Sequence, residues 1–149
     1  MSLENWVRNS WLERRDSDAK EIGRLFALAD GRLEDYKKAV AGMLSPDSQF
    51  NLAYDAIRAS ATAALRAAGY RVVRGGNEHH RTIEALEFSI DPQKKIIPVL
   101  DKLRKKRNIG SYDDFGLVSQ TEANLCGELA LQVRKDSEDW IRKNHADKT

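Results

Sequence analysis

Apolar residues recur every three or four positions in five stretches of the chain, which is the spacing of one face of an α-helix. In the first stretch they lie four, three, four, three, four and three residues apart. Asp18 or Ser17 precedes this stretch and can cap a helix together with Glu21. The pattern predicts a long amphipathic helix with a core-facing seam of Ile22, Phe26, Ala29, Leu33, Tyr36, Val40 and Met43.

Start and stop signals delimit the next two helices. Ser45-Pro46 predicts a second helix from about Asp47 to Ala68, because serine caps a helix and proline suits its first position. Gly69 suits its C-terminal end. The apolar face of this helix comprises Phe50, Tyr54, Ile57, Ala61, Ala64 and Ala68. A third helix is predicted to begin near Glu78 and to carry the apolar residues Ile83, Leu86 and Ile90.

Two further helices follow. Asp91-Pro92 precedes the fourth, which is predicted to end near Asn108 after the apolar residues Ile96, Leu100 and Leu103. Ser119-Gln120-Thr121-Glu122 is a capping box that opens the last helix. Asp136 interrupts the apolar face of that helix. Either the apolar face turns towards solvent at this point, or Asp136 pairs with an inward-facing arginine. The other positions of this face are Cys126, Leu129, Val133 and Trp140.

These five helices, joined by short loops, predict an all-α fold: an up-and-down bundle of about five helices. We find no strand pattern, repeat or second domain. Residues 70–76 are predicted to form a loop, since Val72-Val73 is too short to argue for a sheet. We assign residues 1–16 to an N-terminal extension and residues 17–146 to the bundle.

The composition favours one helical domain. The chain has 149 residues, enough for a single core, with 32% charged residues, only 3 prolines and 9 glycines. Cys126 is the only cysteine, which excludes an intrachain disulfide and indicates a small core residue. The first residues do not resemble a signal peptide, and no run approaches the roughly 20 apolar residues of a membrane span. We therefore expect a cytoplasmic protein.

Several kinds of site find no support in the sequence. It contains no Gly-rich phosphate loop, metal-ligand spacing or nucleotide fingerprint. His79-His80 is a weak metal motif, because adjacent histidines on a helix point in different directions and no Cys or third His lies nearby. Polar contacts at a helix start or in a pocket are the preferred interpretation of this pair. Neither a metal nor a cofactor is predicted.

The positive charge is concentrated in one segment. The net charge is only +2, yet Asp101 is the only acidic residue among Lys94, Lys95, Lys102, Arg104, Lys105, Lys106 and Arg107. Such a run is either a solvated helix face or a surface that attracts phosphate. On the second interpretation, Arg104, Lys105 and Lys106 bind RNA or another phosphate.

Arg107 continues the apolar stripe of the fourth helix. A guanidinium there cannot lose its proton, so it needs a partner or a ligand. Asp113 and Asp136 are candidate partners. Asn108 follows Arg107, and Tyr112 comes after a Gly-Ser helix stop.

Three motifs occur in a recognisable order. Ala53-Tyr54-Asp55-Ala56 opens a helix that ends Ala67-Ala68-Gly69-Tyr70-Arg71, and Gly75-Gly76-Asn77-Glu78-His79-His80 opens the next helix. Arg107-Asn108-x-x-x-Tyr112 ends the fourth. Together they resemble the HEPN family (higher eukaryote and prokaryote nucleotide-binding domains), whose motif is Arg, four to six residues, then His. The resemblance covers roughly residues 17 to 145 and departs from the motif at Tyr112, where His is expected.

The resemblance implies a site and an assembly. In ribonuclease members of the family, Arg–His pairs of two protomers meet at a dimer interface and cleave RNA without metal, using the ribose 2'-hydroxyl as nucleophile. By resemblance, Arg107, Asn108 and Tyr112 are the catalytic candidates, in a homodimer that buries part of the fourth and last helices. Arginine can bind the phosphate bidentately. Tyr112, with an ordinary pKa of about 10, is a poor base at pH 7 but can donate a hydrogen bond or a proton.

Two functions follow from the resemblance. The first is an RNA-binding protein or metal-independent endoribonuclease of the toxin or defence type. Its catalysis would be degenerate, because Tyr112 stands where the family motif has His. The alternative is a non-catalytic interaction module whose partner is a nucleotidyltransferase antitoxin. A third interpretation is purely structural: Arg107, Asn108 and Tyr112 tie the turn after the fourth helix to the last helix.

Overall fold

The computed structural model describes the backbone of residues 1–109 and 118–149, and the side chains of 1–106 and 118–149. It confirms the predicted helical bundle. The helices are α1 (Leu3–Arg8), α2 (Ala19–Ala41), α3 (Pro46–Ala67), α4 (Glu78–Glu84), α5 (Ile97–Ile109) and α6 (Gln120–Asn144). Short 3-10 turns follow α4 at Ala85–Phe88 and α6 at Ala146–Lys148. No helix within the described ranges has the length and apolar character needed to cross a membrane.

The predicted caps set the helix boundaries. The side chain of Asp18 accepts a hydrogen bond from the Glu21 backbone N–H at 2.8 Å, and α2 begins at the next residue. Ser45 accepts one from Ser48 N–H at 3.1 Å at the start of α3. Ser119 forms the predicted capping box at the start of α6. These bonds satisfy backbone donors that have no partner within the first helical turn.

Helix α3 is the centre of the bundle, with α2 and α6 packed on either side. Phe50, Tyr54 and Ile57 are completely buried, and alanines make up much of the rest of its buried surface. Gln120 at the start of α6 donates to Gln49 near the start of α3 at 2.8 Å, so these two helices run in the same direction. The small alanine side chains allow both neighbours to approach α3 closely.

The structure contains a sheet where none was predicted. Strand β1 (Leu12–Arg14) pairs antiparallel with β2 (Tyr70–Val72), with Leu12 opposite Val72. The prediction of a loop at residues 70–76 is therefore wrong for its first three residues. Three-residue strands are too short to show an alternating pattern, and the pairing joins segments that are distant along the chain.

The first 16 residues pack on the bundle through β1 and α1. Trp6 and Leu12 are both only 2% exposed and lie in a cluster with Leu65 of α3 and Ala85. Trp6 meets the rings of Trp11 and Phe88 edge-on, at centroid distances of 5.4 and 5.2 Å. This segment therefore forms a small separate apolar core together with α3, β2 and the turn after α4.

The end of the predicted α2 seam is wrong. Val40 and Met43 were expected in the core, but Ala39 is buried instead and Met43 is 88% exposed. Helix α2 ends at Ala41, and Met43 has a φ of 55°, so the helical spacing no longer applies there. In α6, Ser137 is buried while Asp136 is half-buried. The buried face of this long helix therefore shifts by one residue at Asp136, because the helical period differs from a strict seven-residue pattern.

Candidate functional site

A buried carboxylate positions the start of α5. Asp91 is 5% exposed, and its two carboxylate oxygens accept hydrogen bonds from the backbone N–H groups of Lys95, Ile96 and Ile97 at 2.8 to 2.9 Å. These N–H groups are the unpaired donors of a helix start, where negative charge is also favoured. The sequence marked Asp91 only as a break, so this role was missed.

The two faces of α5 separate as the sequence predicted. Leu100 and Leu103 are buried in the main core, whereas Lys102 and Lys105 are exposed. Asp101 precedes these cations in the chain and contacts His80 of α4, which packs against α5. The basic side of α5 therefore faces away from the core.

Asp101 gathers three cationic or titratable side chains. Its Oδ1 atom lies 3.1 Å from His80 Nδ1 and 3.0 Å from Arg104 Nε. Its Oδ2 atom lies 3.3 Å from Lys105 Nζ. On the α4 side, His80 Nε2 lies 2.8 Å from Glu84 Oε1. We call this set the α4–α5 charge cluster: His80, Arg81, Glu84, Asp101, Arg104 and Lys105.

The hydrogen bonds of the cluster keep Asp101 ionised. Partial burial raises the pKa of Asp101, but the hydrogen bonds from Arg104, His80 and Lys105 outweigh it, and the net effect is a lowered pKa. The carboxylate therefore accepts from both helices at once. This contact links α4 to α5 at a place where the side chains of His80 and Asp101 are still 31% and 22% exposed.

Arg81 connects the cluster to the N-terminal segment. Its guanidinium lies 3.6 Å from the centroid of the Trp11 ring, within the range of a cation–π contact. It also contacts Glu84 Oε1 at 3.2 Å. Glu84 thus has Arg81 on one side and His80 on the other, which holds the side chains of α4 in one arrangement.

The predicted phosphate-binding residues do not all lie together. Arg104 and Lys105 belong to the cluster, but Lys106 pairs with Glu122 of α6 at 3.2 Å. The pKa of Glu122 is lowered, first by the backbone N–H of Ser119 and then by Lys106, with burial opposing them. Lys106 therefore ties α5 to the start of α6.

The predicted catalytic residues fall largely beyond the described side chains. Arg107 and Asn108 belong to α5, but their side chains lie outside the described part of the chain, as do Tyr112 and Asp113 altogether. Asp136 is half-buried on α6. It lies 14 residues after Glu122, the partner of Lys106, which corresponds to about 21 Å along the helix axis. The pairing of Arg107 with Asp113 or Asp136 stays a prediction.

His80 makes polar contacts, with Asp101 and Glu84. Among the side chains that are described, no group of three or more His, Cys, Asp and Glu residues has a geometry that could hold a metal ion. Sequence reasoning missed the pairing of His80 with Asp101. Two signals could have pointed to it. Asp101 is the one acid in a basic run, and Glu84 lies four residues after His80, a spacing that places two side chains next to each other on a helix.

Comparison of the chain with protein-family models, with curated proteins and with solved structures found no match.

Proposed function

We propose that this chain is a HEPN-like protein that binds the phosphate backbone of RNA with the basic side of α5, and that its reaction is metal-independent RNA cleavage by a homodimer. The observation that carries the proposal is the α4–α5 charge cluster. It brings Arg104 and Lys105 of the basic run together with His80, whose side chain is 31% exposed, while that of Lys105 is 63% exposed. The resemblance of the motif around Arg107 points to the same end of α5.

The charge at this place suits an RNA backbone. Residues 101–106 carry four cations, Lys102, Arg104, Lys105 and Lys106, against Asp101 alone. Lys105 is 63% exposed at its side chain, so it can reach a ligand without unfolding α5. Phosphate contacts of this kind provide affinity that is independent of base sequence and falls as salt is added.

Binding to single-stranded RNA tests the proposal. The parent protein, the double variant Lys102→Gln with Lys105→Gln, and Arg107→Ala are titrated with a labelled RNA at two salt concentrations. We expect the double variant to bind RNA more weakly than the parent. The slope of its log K against log salt concentration should be shallower by about 1 to 2, because each lost phosphate contact reduces the slope by about 0.7. Arg107→Ala should abolish or strongly weaken binding while helical content by circular dichroism stays unchanged.

The matched control is Lys135→Gln with Lys143→Gln, which removes two exposed cations from α6. It leaves the net charge equal to that of the double variant, so it should retain the parent affinity if binding is local to α5. Equal, negligible affinity of the parent and all variants would end the nucleic-acid proposal. In that case the interaction module becomes the better interpretation.

A further inference from the structure

We propose that His80 is the general acid of this site, that Asp101 positions it, and that Arg104 binds the phosphate beside it. The inference rests on the proposed function and adds the group that protonates the leaving oxygen. It assigns to α4 the proton transfer that the family motif places after the arginine, where this chain has Tyr112.

The geometry joins the imidazole and the guanidinium through one atom. His80 Nδ1 and Arg104 Nε contact the same oxygen, Oδ1 of Asp101, at 3.1 and 3.0 Å. The two side chains therefore lie within about 6 Å of each other at these atoms, close enough to contact one phosphodiester group. They come from different helices, so the shared carboxylate sets their relative position.

The surroundings of His80 suit a proton donor. Asp101 faces Nδ1, and Glu84 faces Nε2 at 2.8 Å. A carboxylate only accepts hydrogen bonds, so the ring makes both contacts when each nitrogen carries a proton. The charged groups around the ring are Arg81 and Glu84 of α4 and Asp101, Arg104 and Lys105 of α5.

Glu84 is also held by Arg81, and its side chain is 34% exposed. Proton donation by His80 requires that a substrate oxygen replace Glu84 beside Nε2, so that the Nε2 proton faces the ligand.

The reaction balances without a further reagent. The ribose 2'-oxygen attacks phosphorus and loses its proton to water, so that a 2'-O–P bond forms. The P–O5' bond breaks, and the departing 5'-oxygen takes the proton of His80 Nε2. Arg104 stabilises the negative charge on the non-bridging oxygens. The products are a 2',3'-cyclic phosphate and a 5'-hydroxyl end, and His80 regains its proton from solvent.

The other two histidines of the chain serve as comparisons. His145 follows α6, where its ring lies 5.1 Å from that of Trp140. His79 precedes His80 on α4 and makes a contact of its own. Neither is among the partners of Asp101 described above. His145→Asn is therefore the matched control for a histidine change that leaves the cluster intact.

The experiment separates binding from cleavage. A short RNA labelled at both ends is incubated with the parent, His80→Ala, His80→Gln, Asp101→Asn and His145→Asn, each checked for folding by circular dichroism. We expect His80→Ala and His80→Gln to bind RNA within about threefold of the parent and to cleave it 10²- to 10⁴-fold more slowly, the usual size of a general-acid contribution. Added imidazole should restore part of the activity of His80→Ala and none of the activity lost in Asp101→Asn. His145→Asn should match the parent.

The outcomes distinguish the two proposals. A parent that cleaves to cyclic-phosphate ends, with loss in the His80 variants and rescue by imidazole, supports the inference. Equal cleavage by the parent and a folded His80→Gln overturns this inference and leaves the proposed function standing. A parent that binds RNA without cleaving it overturns this inference and the cleavage part of the proposed function, while RNA binding still stands. A parent with no RNA affinity overturns the proposed function and this inference together.

Discussion

At the scale of single residues, Arg66 shows how a buried charge is accommodated. Its side chain is 6% exposed, and its Nε and Nη2 atoms donate to Glu21 at 2.6 and 3.3 Å. The remaining donors reach the backbone oxygens of Arg15, Asp16 and Tyr70 at 2.7 to 3.0 Å. Arg66 thereby ties α3 to the segment that enters α2 and to the start of β2.

Replacing Arg66 tests this role. Arg66→Met should lower the free energy of unfolding by about 3 kcal/mol, because it leaves Glu21 without its cation and three backbone oxygens without donors. The measurement is urea unfolding followed by circular dichroism. Lys135→Met is the control: Lys135 pairs with Asp139 on the exposed face of α6, so its replacement should leave the free energy of unfolding nearly unchanged. Equal stabilities of the two variants would contradict the assignment.

Cys126 illustrates a residue whose environment the sequence predicted correctly. It is completely buried against α3, with its Sγ atom 3.8 Å from the backbone oxygen of Phe50. Burial raises the pKa of the thiol to about 12. The thiol is therefore a core group with little thiolate at neutral pH.

At the scale of helices, one glycine sets the approach of α6 to α2. A Cβ atom added to Gly127 would overlap the Tyr36 hydroxyl and the Cζ ring carbon that carries it. Tyr36 therefore packs directly on the backbone of α6. The pKa of Tyr36 is raised, first because burial disfavours the phenolate.

Alanine at Gly127 tests the packing of these helices. Gly127→Ala should destabilise the protein by roughly 1 to 3 kcal/mol, because the aromatic ring must move and the core is densely packed. Gly31→Ala in α2 is the control: nothing lies within 4 Å of the added carbon, so the better helix propensity should stabilise by up to about 1 kcal/mol. Thermal unfolding of the two variants measures the difference, and a Gly127→Ala protein as stable as the Gly31→Ala protein would be inconsistent with this contact.

At the scale of the whole molecule, ionised carboxylates join the elements of the bundle. Glu21 pairs with α3, Asp101 with α4, and Glu122 with α5. The pKa of Glu21 is lowered mainly by its hydrogen bond with Arg66, and those of Asp101 and Glu122 are also lowered. Each contact therefore depends on the charged form of the acid.

These shifts predict that the protein is destabilised by acid. The pKa of a carboxyl group in the unfolded chain is about 4. Where the pKa in the folded state is lower, the ionised group adds stability that is fully present at pH values above the unfolded pKa. That stability is lost as the pH falls through the folded pKa. We expect the melting temperature to be constant from about pH 7 to 5 and to fall below about pH 4. Glu21→Gln should be less stable at pH 7 and should show a smaller fall in acid. An unchanged fall in this variant would show that Glu21 contributes nothing to the acid dependence.

The sequence by itself determined where α2, α3 and α6 begin, because capping and hydrophobic periodicity act within a few residues of the chain. Asp18, Ser45 and Ser119 start their helices by contacts three residues away. The tertiary structure alone decided which distant groups meet. Three such features depend on how the helices pack: the pairing of β1 with β2, the burial of Ser137 in place of Asp136, and the contact of His80 with Asp101. Those contacts join elements that no local pattern relates, since the free energy that forms them comes from burying faces of separate helices together.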